Sequence, residues 1–323
     1  MAVSMNLSPH SNTQIDMASL TVKTWLNNAA SQLQSQGFDT NEAELLLGFI
    51  LHQDKAYLLT HTETELTAEK LAQADKALQQ RLSHQPIAYI IGEKDFYGRT
   101  FKVTPDVLIP RPDSELIVDV ATKLLNYKTT GSILDIGTGS GCLIISIALE
   151  TENKFTYTGL DISTKALEIA KENASNLGAQ VNFLQSNLLD SLNNKNQTSD
   201  ASYSLPTTHY SLVIANLPYL TSSQMDEPSI QSEPELALYG GTKGLHYYQH
   251  LLQQLPAFVT KSSVILLEID PSQEHLLDDD ITQAFPAAGI EYIPDLSGKT
   301  RIIKITTNNS QAPNPLRQAS EAS

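Results

Sequence analysis

From about residue 131 the chain alternates short apolar runs with amphipathic stretches of helix length, and no other feature limits its fold as tightly. Residues 132–136, 155–160, 181–185, 211–215 and 264–269 read as strands, the last the most apolar. Helical patterns separate them from about residue 142, over residues 163–178, 244–258 and 273–285. A strand that is apolar along its whole length is buried on both faces, and strands joined through helices run parallel. The reading is an α/β fold whose sheet is covered on both sides, closed by strands at residues 291–294 and 301–305.

The earlier part of the chain lacks this alternation. Residues 14–36 carry Leu20, Trp25, Leu26 and Leu33 at helical spacing and meet a stop at Gly37. Asp39 or Thr40 can cap a second helix through Glu44 and Phe49. A third follows Thr67 with Leu71, Ala74, Leu78 and Leu82, and Pro86 ends it. Residues 1–86 therefore read as a small helical domain. Residues 87–110 read as a β-hairpin connector, its strands drawn from Tyr89, Ile90 and Ile91 and from Phe101, Lys102 and Val103. Residues 111–306 form the α/β domain, and residues 307–323 a disordered polar tail. Residues 191–208, rich in Asn, Ser and Thr, read as a long surface loop.

Charge narrows the functional classes. Lys and Arg number 21 against 36 Asp and Glu, a net charge of −15. A surface this acidic repels phosphate backbones, so no direct nucleic-acid binding is expected. Residues 224–280 hold ten acids against Lys243 and Lys261, which would suit a cationic partner. No run approaches the roughly 20 apolar residues of a membrane span. The lone Cys142 rules out an internal disulfide and fits a reducing cytoplasm; its small side chain reads as packing rather than as a nucleophile. The eight histidines show no H-E-x-x-H motif, and no metal is expected.

Three constellations carry chemistry. Asp135-Ile136-Gly137-Thr138-Gly139-Ser140-Gly141 lies between a buried strand and a helix. Its glycines allow a sharp turn and let a ligand approach the main chain, although a tight turn without a ligand would use the same residues. The spacing is G-x-G-x-G, not the G-x-G-x-x-G of dinucleotide sites, and no Lys-Ser/Thr pair follows to grip phosphate. Asp161 ends the next strand, where it can accept ribose hydroxyls or serve as a helix N-terminal charge. A ligand with a ribose, no phosphate and a positive centre suits this pair, and S-adenosylmethionine has all three properties. Asn216-Leu217-Pro218-Tyr219 ends a further strand. The Asn216 side-chain oxygen and the carbonyl of residue 217 can each accept one N–H of a target amino group, and Tyr219 can stack on a planar group. An Asn-containing turn after a strand is the bland reading of the same residues.

Taken together, the glycine turn, Asp161 and Asn216 to Tyr219 resemble an S-adenosylmethionine-dependent amino-methyltransferase. Further segments narrow the likeness: Gly92-Glu93-Lys94-Asp95-Phe96-Tyr97-Gly98, Ile109-Pro110-Arg111-Pro112-Asp113-Ser114-Glu115, and Glu233-Pro234-Glu235-Leu236-Ala237-Leu238 with Gly240-Gly241. Leu266-Leu267-Glu268-Ile269 followed by Gln273, and Asp295-Leu296 with Arg301, continue it. Over residues 24–305 the chain resembles the peptide chain release factor glutamine methyltransferases (HemK/PrmC).

That resemblance implies a Rossmann-like class I methyltransferase sheet, mostly parallel with an antiparallel last strand, behind a helical-bundle domain that recognises substrate. It implies methylation of the side-chain amide nitrogen of the glutamine in the Gly-Gly-Gln loop of class I release factors. S-adenosyl-L-methionine is the donor and S-adenosyl-L-homocysteine the product. Carried over, Gly137, Thr138, Gly139, Ser140, Gly141 and Asp161 hold the cofactor, Leu188 lines its adenine, and Asn216 touches both cofactor and target. Asn216, Leu217, Pro218 and Tyr219 hold the glutamine amide. A monomer free of membrane is implied. Arg111 and Glu115 either frame the pocket or cap a helix.

Two positions depart from the family pattern. Leu217 stands where the family has proline, which costs rigidity but keeps the carbonyl. Asn187 stands where the family more often has Asp. Asn-Leu-Pro-Tyr is also the form found in ribosomal RNA adenine dimethyltransferases, but those bind RNA through basic surfaces and carry their helical domain after the catalytic one. Ribosomal-protein glutamine methyltransferases are the nearer alternative; Pro112-Asp113 after Arg111 looks more like the release-factor branch.

Overall fold

In the computed structural model, which describes residues 20–193, 209–227 and 230–308, side-chain caps start the first, third and fourth helices. Helix α1 (Val22–Ser35) starts where the Thr21 hydroxyl accepts the Thr24 N–H. The expected start at residue 14 is corrected to Val22; residues 14–19 lie outside the described residues. Helix α2 (Glu42–Leu51) follows Asn41 with no side-chain cap; the expected caps are corrected, since Asp39 instead accepts the Asn41 N–H at 2.9 Å in the turn before it. Then comes α3 (Lys55–Thr60), which the sequence reading missed. Six residues are too few to display a helical period, and the usable signal was Asp54, whose carboxylate accepts the Tyr57 N–H at 2.8 Å. Thr67 caps α4 (Ala68–Leu82).

Residues 89–91, expected as strand, form part of α5 (Ile87–Ile91). The aromatic Tyr89 and β-branched Ile90 and Ile91 favour strand locally, but Pro86 starts a helix: its carbonyl accepts from Tyr89 and Ile90, while α4 has already ended at Leu82. The helices bury Trp25, Leu33, Leu46, Leu47, Leu58 and Leu78 among themselves. Trp25 donates its indole N–H to Asp75 at 2.8 Å, and Arg81 forks onto Glu42 at 2.6 and 3.2 Å.

A second compact unit begins at Gly92. Strands β1 (Glu93–Phe96) and β2 (Arg99–Lys102) pair antiparallel. Tyr97 and Gly98 both take positive φ, 50° and 68°, as a two-residue hairpin turn requires. After a 3₁₀ turn at Pro112–Ser114 comes α6 (Glu115–Leu125), and then the alternation begins. It runs β3 (Ser132–Ile136), α7 (Cys142–Glu150), β4 (Thr156–Asp161), α8 (Thr164–Leu177), β5 (Val181–Gln185), α9 (Asp190–Asn193) and β6 (Tyr210–Ala215). It continues with α10 (His246–Gln254), β7 (Val259–Glu268), α11 (Asp278–Ala284), β8 (Gly289–Pro294) and β9 (Thr300–Thr306).

The seven strands lie in the order β5-β4-β3-β6-β7-β9-β8, parallel except where β9 meets β7 and β8. The expected mostly parallel sheet with an antiparallel last strand is what forms. Alternate residues feed two apolar layers. Leu134, Ile136, Val213 and Ile265 face α10 and α11, while Ile133, Leu212, Ile214 and Leu266 face α6 and α7.

Some boundaries move. The helix expected over 244–258 stops at Gln254 and tightens into 3₁₀ at Leu255–Ala257 around Pro256. The helix expected from 273 breaks in two, because Asp270 and Gln273 form a capping box on the 3₁₀ turn Pro271–Gln273, and α11 starts only at Asp278. The loop expected over 191–208 begins with the end of α9; residues 194–208, and 309–323 of the expected tail, lie outside the described residues.

One buried amide holds the hairpin and the first strand–helix turn in place. Asn173 of α8 accepts from the Lys102 N–H at 2.8 Å and donates to the carbonyls of Lys102 (3.0 Å) and Ser140 (2.9 Å). Asn173→Leu keeps the volume and strands those groups, so it should lower the unfolding free energy by roughly 3 kcal/mol. Urea denaturation followed by circular dichroism measures this; an unchanged midpoint would show that the amide is not a structural pin.

Candidate active site

Strand register brings the three predicted segments together. Ile136 of β3 pairs with Leu160 of β4 on one side and Ala215 of β6 on the other. The glycine turn, Asp161 and Asn216 thus leave the sheet side by side at its carboxyl edge. The chain runs from β3 to β4 and β5 on one side and returns to β6 on the other, so loops diverge at this point and open a crevice.

The glycine turn is built on the Leu160 carbonyl, which accepts from both Gly137 (2.8 Å) and Thr138 (2.9 Å). Gly137, Gly139 and Gly141 all have positive φ. A Cβ on Gly141 would lie 2.7 Å from Ile145 and 3.2 Å from Ala170, so this glycine also lets α7 and α8 approach. Gly139 has open space where a side chain would stand. Thr138 turns inward and donates its hydroxyl to Asp135 at 2.6 Å. Asp135 is wholly buried, its other oxygen has no partner, and burial pushes its carboxyl up to about 7.

Asp161 bridges two loops. One carboxylate oxygen accepts the Gly139 N–H and the other the Ser163 N–H, each at 2.9 Å. Burial raises its pKa, and these backbone donors oppose the rise. Each oxygen keeps a lone pair for a further donor.

Asn216 is aimed by residues the motif does not contain. Its side-chain nitrogen donates to the Ser114 hydroxyl at 3.2 Å, which leaves the amide oxygen as its free acceptor. Beside it lies Glu268 at the end of β7, buried, with Oε2 unpartnered. Burial pushes the Glu268 carboxyl up to about 7, against the pull of hydrogen bonds to Ser114 and Asn216.

The backbone after Asn216 is packed against backbone. A Cβ on Gly240 would lie 2.4 Å from the Pro218 carbonyl oxygen, and one on Gly244 2.0 Å from that of Tyr219. Gln273, itself buried, donates to the carbonyls of Tyr219 (3.0 Å) and Gly244 (3.1 Å). Leu220 exchanges hydrogen bonds with Leu238 and Gly240 on the facing segment.

Two cavities of about 240 Å³ each meet at this loop, and Asn216 lines both. The first is lined by Gly137, Gly139, Asp161, Leu188, Leu217 and Pro218, and by no Lys or Arg. Leu188 takes a positive φ of 48° there. The second cavity is lined by Arg111, Tyr219, Leu220 and Gln224 among others.

Of the residues singled out in the glycine turn, Thr138, Ser140 and Gly141 line neither cavity; they build the turn from beneath. Arg111 borders the second cavity and pairs with Glu233 at 2.5 Å, while Glu233 also accepts the Ile109 N–H. Glu115 lines neither: it receives the Tyr97 N–H of the hairpin turn. Ser114 and Glu268 stand inside longer sequence segments, and no local pattern marks their contact with Asn216.

His246 and His250 do share a face of α10, four residues apart, but their rings meet edge to face. No group of three His, Cys, Asp or Glu side chains is placed to hold a metal among the described residues. No helix among them is long and apolar enough to cross a membrane. The Cys142 thiol is pushed up to about 12 by burial, which keeps it protonated.

Comparison with known proteins follows the same division of the chain. Residues 24–92 match the PrmC N-terminal domain and residues 128–230 a methyltransferase domain. The chain is 35% identical over 281 residues to a release factor glutamine methyltransferase of Bacillus anthracis, covering 85% of this chain and 95% of that one. It is 33% identical over 294 residues to one of Koribacter versatilis, covering 88% and 98%. Against one of Neisseria gonorrhoeae it is 33% identical over 264 residues, covering 81% and 91%.

The buried carboxylates set a pH dependence. Asp135 holds its proton more tightly folded than unfolded, so its contribution to stability is intact below about pH 4 and falls as pH rises through about 7. Asp135→Asn keeps the bond from Thr138 and removes the titration. Between pH 5 and pH 8 its stability relative to the original chain should rise by roughly 1–3 kcal/mol. Urea titrations at both pH values test this, and a constant difference would mean that Asp135 is already ionised at pH 5.

Proposed function

The chain belongs to the release factor glutamine methyltransferases, and on that premise we propose that it methylates the side-chain amide nitrogen of the glutamine in the Gly-Gly-Gln loop of class I peptide chain release factors. The observation that carries the reading at the site is Asn216, which lines two cavities at once.

The first cavity suits S-adenosylmethionine. Its wall has no cationic side chain to pair with phosphate or repel a sulfonium. Asp161 offers ribose hydroxyls the free lone pairs of an already oriented carboxylate. Gly137 and Gly139 let the ligand reach the main chain, and Leu188 offers an apolar surface to the adenine. When bound, the cofactor supplies a methyl group made electrophilic by the cationic sulfur.

The second cavity takes the glutamine side chain. An amide nitrogen is a poor nucleophile because its lone pair is delocalised into the carbonyl. Where the two cavities meet, the side-chain oxygen of Asn216, which lines both, and the carbonyl of Leu217, which lines the first, accept one N–H each, which orients the nitrogen and draws its lone pair out of conjugation. Ser114 and Glu268 hold the Asn216 amide so that oxygen, not nitrogen, faces the acceptor. Tyr219 supplies a ring as wall, with a hydroxyl kept protonated by burial. The surplus proton leaves after transfer, when the nitrogen is acidic, so no strong base is needed before attack.

The helical unit is the further grip on the release factor, and the acids of residues 224–280 steer a basic face of it. A monomer working in the reducing cytoplasm accords with the single cysteine.

Incubation with a class I release factor and S-adenosylmethionine should add one methyl group to the Gly-Gly-Gln peptide, read by mass spectrometry. Methylation of ribosomal RNA in its place would overturn the reading. Asn216→Ala should reduce transfer by about a hundredfold or more, since it removes an acceptor that works on the reacting nitrogen. Asp161→Ala should weaken cofactor binding about tenfold or more in calorimetry. A variant at Asp161 that binds normally would remove that residue from the cofactor site.

A further inference from the structure

Both backbone groups of Leu217 meet one hydroxyl. Its N–H is buried and donates to the Tyr248 hydroxyl at 3.1 Å, and its carbonyl lies 3.5 Å from the same oxygen. That carbonyl, assigned above to the acceptor amide, keeps a second lone pair for a further donor. Tyr248 lies on α10, has no exposed surface, and donates its own proton to the Glu268 carbonyl at the end of β7. One phenol oxygen therefore joins the ends of β6 and β7, the two strands that carry Asn216 and Glu268.

A proline at position 217 would have no N–H and a φ fixed by its ring. Leucine brings a buried donor and a free φ. The donor must be satisfied or it costs the folded state, and the torsion must be held or the carbonyl wanders. A hydroxyl at this point answers both needs, because it accepts from Leu217 while donating onward. Burial raises the phenol pKa far beyond any working pH, so the donated proton is always present. The ring has no freedom to drift, since it is packed on all sides within the apolar layer that includes Leu217, Leu245 and Leu267.

We propose that Tyr248 is a positioning residue for methyl transfer, whose hydroxyl holds the backbone of Leu217 so that the Leu217 carbonyl meets the acceptor amide. This rests on the assignment of the second cavity to glutamine. The device is electrostatic where proline would be covalent, and it makes one donor–acceptor pair, Leu217 N–H with Tyr248 O–H, responsible for the geometry of the acceptor loop.

A double-mutant cycle separates this role from packing. Tyr248→Phe keeps the ring and removes the hydroxyl, Leu217→Pro removes the N–H, and Leu217→Ala keeps it. Release-factor methylation should lose about tenfold or more in kcat on Tyr248→Phe, with cofactor Kd from calorimetry changed by less than about twofold. In the Leu217→Pro background the same change should cost about twofold or less, because no donor is left stranded, and in the Leu217→Ala background it should cost as much as in the original chain. Equal losses in all three backgrounds would overturn the proposal, since the hydroxyl would then act without Leu217. Hydrogen exchange of the Leu217 amide reads the same bond without any substrate: protection should fall in Tyr248→Phe while Val213 and Ile214 stay protected. Unchanged protection would equally overturn it. If the release factor is not methylated at all, the functional assignment fails while the exchange measurement still decides whether the bond holds Leu217. If Tyr248→Phe alone does not fold, the proposal requires that adding Leu217→Pro restore folding, and failure of that rescue counts against it.

Discussion

Everything at the site hangs on the pairing of β3 with β6. These strands are separated by more than 70 residues of chain, yet their parallel hydrogen bonding sets Ile136 opposite Ala215. The next residue on each strand opens a functional loop, Gly137 on one and Asn216 on the other. A slip of one residue would move every side chain of β6 to the opposite face of the sheet and carry Asn216 away from the glycine turn. The two apolar layers prevent the slip, because Leu212 and Ile214 must face one layer while Val213 faces the other. Core packing and active-site geometry are the same constraint seen from two sides.

Around this edge the fold keeps carboxylates under cover. Asp135 and Glu268 are both buried with one oxygen unpartnered, and both hold protons to about pH 7. Neither has a cation beside it as its leading influence; burial dominates each. Such groups lower stability when ionised. Each nonetheless performs a local task that an apolar residue cannot: Asp135 receives Thr138 beneath the glycine turn, and Glu268 stands beside Asn216 and Ser114. Protein stability is surrendered here for orientation.

The sheet was legible in the sequence because its central strands are short and mostly apolar and alternate with helical patterns, as burial on both faces requires. The glycine turn, Asp161 and Asn216 were legible because they follow those strands directly. Less was visible where local patterns compete. Tyr89, Ile90 and Ile91 look like strand in isolation, yet the preceding Pro86 makes a helix start. The six-residue α3 is too short for any period to show. Ser114, Glu268 and Tyr248 are far from Asn216 and Leu217 along the chain, and their contacts arise only when the sheet is assembled. Leu217 read as a lost proline, and only the folded chain reveals the hydroxyl that receives its extra N–H.

The glycines at 240 and 244 lie against the carbonyls of Pro218 and Tyr219. Where two side chains touch, a larger residue on one side can be offset by a smaller one on the other, and lineages drift through such paired exchanges. A carbonyl oxygen has no smaller version. The Asn216–Leu220 loop thus rests on a surface that admits no compensating change, so a side chain at Gly240 or Gly244 would have to be met by movement of the backbone itself, whereas a change in a cavity-lining side chain need not disturb the frame that carries it.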